Sequence, residues 1–141
     1  MMTQARPISE SPAQTEQIAA ELAARLRPGD VVLVSGELGA GKTTFVRGAA
    51  RALGVTGAVT SPTYTIGQVY AGGDGREIAH LDLYRLESLE NEDPALMDDY
   101  LTPERIGFVE WPGAGEAKID RVAARVRIDH AGGDRRVIHV A

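Results

Sequence analysis

The chain has 141 residues, 43% of them apolar and 25% charged, and a formal net charge of −5. That size suits one domain over residues 1–141 with a core of its own. The absence of cysteine excludes disulfides, thiolate metal sites and cysteine nucleophiles, no run approaches the roughly 18 uncharged apolar residues of a membrane span, and an acidic balance argues against gripping nucleic acid through its phosphates alone.

The opening MMTQARPISESPAQ lacks an apolar signal region, so a cytoplasmic location is expected. Ser11-Pro12-Ala13-Gln14 reads as a helix start, with Ser11 as cap, Pro12 in the first turn and Gln14 completing a capping box. Ile18, Leu22 and Leu26 then recur every four residues as an apolar stripe, and Pro28-Gly29-Asp30 ends the helix. Val31 to Val34 is a short apolar run, as expected of a strand buried on both faces. The glycine cluster from Gly36 follows, and beyond it Phe45, Ala49 and Leu53 share a helical face closed by Gly54.

VTSPTYTIGQVY has the β-branched and aromatic content of loop and strand. Gly72-Gly73-Asp74-Gly75 predicts a hairpin turn, with Arg76 to Tyr84 as the returning strand. An acidic stretch from Arg85 predicts one or two short helices, with Asp93-Pro94 as a start. Ile106 to Trp111 is another apolar strand, and RVAARVRIDH and RRVIHVA flank Ala131-Gly132-Gly133-Asp134 as a C-terminal β-hairpin. Together these predict an α/β sandwich with a partly antiparallel sheet.

Gly36-Glu37-Leu38-Gly39-Ala40-Gly41-Lys42-Thr43 fits G-x-x-x-x-G-K-[ST]. Such a loop wraps phosphate oxygens in backbone N–H groups, so side chains must be missing where the backbone approaches. The following helix aims its free amides and dipole at the same anion. Lys42, one of only two lysines beside thirteen arginines, supplies a point charge, and Thr43 offers a hydroxyl to Mg²⁺. Thr44 either touches the α-phosphate or is an early helical residue. The motif lies between a strand and a helix, so nucleotide binding is expected.

Magnesium needs a second anchor at the end of a neighbouring strand. Asp82 and Glu110 each end an apolar run, and either one holds the metal while the other orients the attacking water. His80 is open between polarising a phosphate, orienting Asp82 and a structural role. Arg85 either reaches a phosphate or pairs with Glu87 or Glu90. Trp111 either packs or walls the site. His130 and His139 read as structural, and the acidic run Glu87 to Asp99 as a solvated face.

PGDVVLVSGELGAGKTTFVRGAARALG (28–54), VTSPTYTI (59–66), HLDLYRL (80–86) and VEWP (109–112) resemble, in order and spacing, the TsaE (YjeE) family of P-loop ATPases. The resemblance implies a P-loop NTPase-like three-layer α/β sandwich with a mixed sheet. It implies binding of ATP/ADP and Mg²⁺, weak intrinsic ATP hydrolysis, and action with the TsaB–TsaD pair in threonylcarbamoylation of adenosine 37 of tRNAs reading ANN codons, with tRNA met only indirectly. By the same resemblance Lys42 grips phosphate, Thr43 and Glu110 are the metal ligands, and Asp82 is the essential acid near the γ-phosphate. Ser61-Pro62-Thr63 is a switch-type loop with Thr63 near the nucleotide, Trp111 lies at the site margin, and the helix around Thr15 approaches adenine. Glu37 stands where the family more often has Asp, and Gly113-Ala114-Gly115-Glu116 replaces a common acid after VEWP.

Three rivals are separable. A small-molecule P-loop kinase needs an acceptor pocket and an arginine-bearing lid, whereas Arg121, Arg125 and Arg127 fall in strand-like alternation. A GTPase needs an N/T-K-x-D element, and the sole Asn is Asn91 in Asn91-Glu92-Asp93. A nucleotide-sensing adaptor would bind ATP with negligible turnover.

Overall fold

The structure, a computed structural model, describes residues 7–37, 40–60, 67–83, 95–111 and 119–141. In chain order these form β1 (Ile8–Ser9), α1 (Pro12–Ala23), β2 (Val31–Gly36), α2 (Lys42–Ala52), β3 (Gly67–Ala71), β4 (Glu77–Asp82), α3 (Ala95–Asp98), β5 (Arg105–Glu110), β6 (Val122–His130) and β7 (Arg136–Val140). All seven strands join one sheet in the order β1-β7-β6-β2-β5-β4-β3. Strands β6, β2, β5 and β4 are mutually parallel; β3, β7 and β1 pair antiparallel at the two sides. This is the expected mixed sheet, and β6–β7 is the expected C-terminal hairpin.

The apolar run Val31–Val34 makes β2 a central strand, with each of the four residues at most 4% exposed. Alternation divides the sheet faces. Val32, Val34, Phe108, Ile78 and Ile106 pack with α1 and α2 through Ala19, Leu22, Phe45, Val46 and Ala49. Val31, Leu33, Leu81, Leu83 and Val109 face the other way, where Met97 of α3, Tyr100, Leu101 and Ile119 cover them. Among the described residues the second cover is thus one short helix with Tyr100, Leu101 and Ile119, and both long helices share the first face.

Helix α1 begins as predicted. Ser11 Oγ accepts from the Gln14 N–H at 3.2 Å, while the Gln14 amide oxygen accepts from the Glu10 N–H rather than from the cap itself. The predicted stripe packs on the core, with Leu22 buried and Ile18 and Leu26 partly covered, while the other buried positions are the small Thr15, Ala19 and Ala23. The reason is the closeness of α2. A Cβ on Gly48 would stand 2.4 Å from the Glu16 backbone, so small residues form the helix–helix seam. The helix also ends at Ala23, with Arg25 and Leu26 in tighter i→i+3 hydrogen bonds. Two-residue β1, which no sequence pattern announced, is fastened to α1 by a 2.7 Å hydrogen bond between the hydroxyls of Ser9 and Thr15.

The predicted turn at Gly72–Gly75 contains a 3₁₀ turn, Gly73–Gly75, and β4 ends at Asp82 rather than Tyr84. Among the described residues no helix is long and apolar enough to cross a membrane.

Candidate functional site

The site forms where parallel strands end. β2 delivers Gly36 into the glycine loop, and the chain enters α2 at Lys42. The cap of α2 is Gly41, which is left-handed at φ 100° and has no side chain to occupy the first amides of the helix. A Cβ at Gly41 would meet only Thr44 Cβ, at 4.0 Å, so the backbone there borders open space. These features suit an anion seated on the helix N-terminus. Leu38 and Gly39 of the motif lie outside the described residues.

Lys42 is 4% exposed. Its ammonium donates to the Glu37 carbonyl at 2.6 Å and to the Gly36 carbonyl at 3.2 Å, and lies 3.9 Å from the centre of the Trp111 ring. Burial lowers its pKa from 10.5, opposed by the charges of Glu110, Asp82 and Glu37. Trp111 takes φ 56°, a left-handed conformation uncommon for an aromatic residue, while its N–H donates to the Val34 carbonyl at 3.0 Å. The last residue of VEW is therefore turned off the end of β5 and stands against the lysine.

The two candidate acids are strand neighbours. Asp82 pairs in register with Glu110, which pairs in turn with Val34 of β2. By alternation both project on the helix-bearing face. Glu110, 2% exposed, accepts from the Thr43 hydroxyl, 3.2 Å from Oε2 and 3.3 Å from Oε1. Asp82 stands one strand farther from β2 and is partly exposed. Thr43 and Glu110 form an oxygen donor pair of the kind Mg²⁺ selects, and the threonine hydroxyl keeps its lone pairs while its proton serves the carboxylate. The residues therefore fit a Mg²⁺–nucleotide. Among the described residues no three His, Cys, Asp or Glu side chains form a metal cage.

His80 is not on Asp82. It is fully buried, and its Nε2 lies 2.5 Å from Glu110 Oε2. Tyr70, from the edge strand β3, reaches its Nδ1 at 3.2 Å. The alternatives of a phosphate or Asp82 contact are replaced by this one because His80 sits one step deeper in β4 than Asp82, facing the neighbouring strand's acid.

Across the loop, Thr15, Ala40, Gly41, Thr44, Asp134 and Arg136 line a small recess. It brings Thr15 and Thr44 together beside the loop. Thr15 is 2% exposed, with its hydroxyl committed to Ser9. Arg136 was not singled out by the sequence. Its Nε donates to the Ala40 carbonyl at 2.9 Å, pinning the loop to the C-terminal hairpin. No spacing rule links positions 40 and 136; only the pairing of β7 with β6 and of β6 with β2 does. A larger cavity of about 220 Å³ lies at the opposite, amino end of the strands, bounded by Gly29, Met97, Leu101 and Arg121, away from the glycine loop, Asp82 and Glu110. His139 lies 3.4 Å from Asp129, and His130 lies 4.0 Å from Glu37. Ser61 to Thr63, Arg85, Glu87 to Asp93 and Pro112 to Glu116 lie outside the described residues.

Comparison with known proteins converges on one group. The family model described as "Threonylcarbamoyl adenosine biosynthesis protein TsaE" matches residues 9–138. A relative named tRNA threonylcarbamoyladenosine biosynthesis protein TsaE, from Streptomyces coelicolor, is 45% identical over 122 residues, spanning 84% of this chain and 80% of its own. Its namesake in Bacillus subtilis is 41% identical over 128 residues, 91% of this chain and 79% of its own. The crystal structure of YdiB from Bacillus subtilis superposes with a TM-score of 0.78 at 35% identity, covering 99% of this chain and 86% of that one.

Proposed function

This chain belongs to the TsaE family of tRNA threonylcarbamoyladenosine biosynthesis, and from that premise we propose that it is a Mg²⁺-dependent ATPase of low intrinsic activity. It binds ATP, releases ADP and phosphate, and supports threonylcarbamoylation of adenosine 37 in tRNAs reading ANN codons. It acts in the cytoplasm through the TsaB–TsaD pair, meeting tRNA only indirectly.

The observation that carries this reading is the meeting of the Thr43 hydroxyl with the buried Glu110 carboxylate at the N-terminus of α2, beside a buried lysine. Lys42 leaves its two carbonyls for the β- and γ-phosphates. The amides at the start of α2 hold the phosphate oxygens. Thr44 and Thr15 border the nucleoside side of the loop. Thr43 and Glu110 would hold Mg²⁺, which when bound would supply charge neutralisation for the phosphoryl oxygens. Asp82, partly exposed at the next strand end, orients the attacking water. Trp111 borders the phosphate pocket.

The kinase alternative fits the arginines poorly. Arg121 lies beside Asp30 at the amino end of the sheet, and Arg125 and Arg127 are within β6, so none of the three forms a lid.

The test is phosphate release by the full chain with Mg²⁺ and ATP, with and without purified TsaB–TsaD. The partners are expected to raise turnover, and Lys42→Ala or Glu110→Ala to remove the increase. Unchanged turnover in both variants would overturn the site assignment. Transfer of phosphate to an added small acceptor would favour the kinase.

A further inference from the structure

Glu110 is a carboxylate on a flexible side chain, yet it has to present one oxygen to a cation at a fixed place. Thr43 alone cannot fix it, because that hydroxyl lies nearly equidistant from both oxygens, at 3.2 and 3.3 Å. The asymmetry comes from behind, where His80 Nε2 approaches Oε2 alone, at 2.5 Å. With Glu110 ionised, that approach requires the proton on Nε2, since two lone pairs would repel.

Tyr70 supplies the reason for the proton's position. Its hydroxyl is 3.2 Å from His80 Nδ1 and 3.2 Å from the Thr60 carbonyl. Donated to Nδ1, the phenolic proton leaves a neutral imidazole only the Nε2–H tautomer. Donated to Thr60, it leaves the phenolic oxygen to accept from Nδ1–H. Nε2–H then donates to Glu110 in the first arrangement with a neutral ring, and in the second only with both ring nitrogens protonated, as an imidazolium bridging Tyr70 and Glu110. The Tyr and His rings are further held by packing, with centroids 6.1 Å apart.

From this geometry we infer that His80, set by Tyr70, is a positioning residue that occupies Oε2 of Glu110 and thereby reserves Oε1 for the divalent cation. This inference rests on the reading of Glu110 as a metal ligand. It assigns to a fully buried histidine and an edge-strand tyrosine a part in metal affinity that neither plays by contact. Hydrogen-bonded partners behind metal ligands act in this way generally, and their loss costs roughly 10–100-fold in metal affinity.

The experiment uses the full chain saturated with a non-hydrolysable ATP analogue, with Mn²⁺ as the probe read by electron paramagnetic resonance. Analogue affinity is measured separately in the presence of EDTA. His80→Leu, which keeps an apolar volume but no donor, is expected to weaken Mn²⁺ binding roughly 10–100-fold while leaving metal-free analogue affinity unchanged. His80→Gln, whose amide can donate from a similar position, restores most of the loss. Tyr70→Phe, the mildest change and the one kept if His80→Leu does not fold, weakens Mn²⁺ binding by a smaller factor. A merely structural histidine would lower melting temperature in all three variants without separating metal from nucleotide affinity. Wild-type Mn²⁺ affinity in folded His80→Leu, or in Tyr70→Phe where the leucine variant is unfolded, overturns the inference if Glu110→Gln is weakened. Wild-type affinity in Glu110→Gln overturns the metal-ligand reading itself.

Discussion

Two glycines of one motif should fail in different ways when each gains a methyl group. Gly36 takes φ 138°, and a Cβ there would stand 2.1 Å from the Ile128 carbonyl oxygen on β6. That oxygen belongs to a central strand and cannot swing aside as a side-chain tip would. Gly41 takes φ 100°, but its added Cβ would meet nothing closer than Thr44 Cβ at 4.0 Å. Gly36→Ala therefore combines backbone strain of about 1–3 kcal/mol with an overpacking cost of about 1–3 kcal/mol. Gly41→Ala carries only the left-handed strain, about 1–2 kcal/mol. At about 2.1 cal/mol/K per residue, a chain of 141 residues shifts by about 3–4 °C per kcal/mol. The melting temperature, followed by circular dichroism, should fall about 7–20 °C in Gly36→Ala and about 3–7 °C in Gly41→Ala. Calorimetric titration of folded Gly41→Ala with MgATP should nevertheless show a loss of roughly tenfold or more, because the backbone can no longer close on the phosphate; one charge-assisted hydrogen bond, about 1.5 kcal/mol, is enough. A Gly36→Ala protein melting no earlier than Gly41→Ala would refute the claim that the first glycine serves the sheet and the last one the ligand.

Alkaline stability should respond in opposite senses at two positions. Burial lowers the Lys42 pKa below 10.5, so the folded chain loses that proton first and stability rises with pH between the lowered value and 10.5; Lys42→Met should lack this rise in denaturant melts. Burial raises the Tyr70 phenol above 10.0, so the unfolded chain ionises first and stability falls as pH climbs through 10.0; Tyr70→Phe should flatten that fall. Asp82→Asn should hold MgATP affinity within about threefold but cut phosphate release about 100-fold, as expected of a residue acting on the water, and a proportional loss of both would contradict that role. Trp111 is the sole tryptophan and faces the Lys42 ammonium, so its emission should change when MgATP draws the lysine away, and stay constant on titrating Lys42→Met.

What the sequence could reveal followed from local rules. Four apolar residues between turn signals mark β2, and Phe45, Ala49 and Leu53 mark the buried face of α2 and its cap, all seven at most 4% exposed. The glycine loop declared itself because its spacing encodes a mechanical need. Asp82 and Glu110 were visible as strand ends, and their register with each other follows once β4 and β5 pair. The unannounced parts depend on contacts between distant segments. The α1 stripe of Ile18, Leu22 and Leu26 does pack on the core, but the deepest positions go to small residues because Gly48, thirty residues from Ile18, sets how close the helices come. Arg136 holds Ala40 across 96 residues of sequence. His80 looked able to serve Asp82, two positions away on the same face, and only the adjacent β5 decides that it serves Glu110.

The charge pattern bears on whether the chain itself grips tRNA. Thirteen arginines in an acidic chain are enough for a basic face, but many are answered locally. Arg51 pairs with Glu16 at 3.3 Å, Arg105 with Glu77 at 3.3 Å, Arg127 with Asp129 at 3.2 Å and Arg135 with Glu10 at 3.2 Å. Exposed pairs of this kind add little stability, yet each cancels a charge that could otherwise replace a phosphate counterion. The chain alone should therefore bind tRNA weakly, with log K falling against log salt by a slope of magnitude about 2 or less, where six phosphate contacts would give about 4–5. Filter binding of the isolated chain across a salt series measures that slope. A steep slope with micromolar affinity would mean that the arginines act together as a phosphate-binding face, and that the route to tRNA is direct.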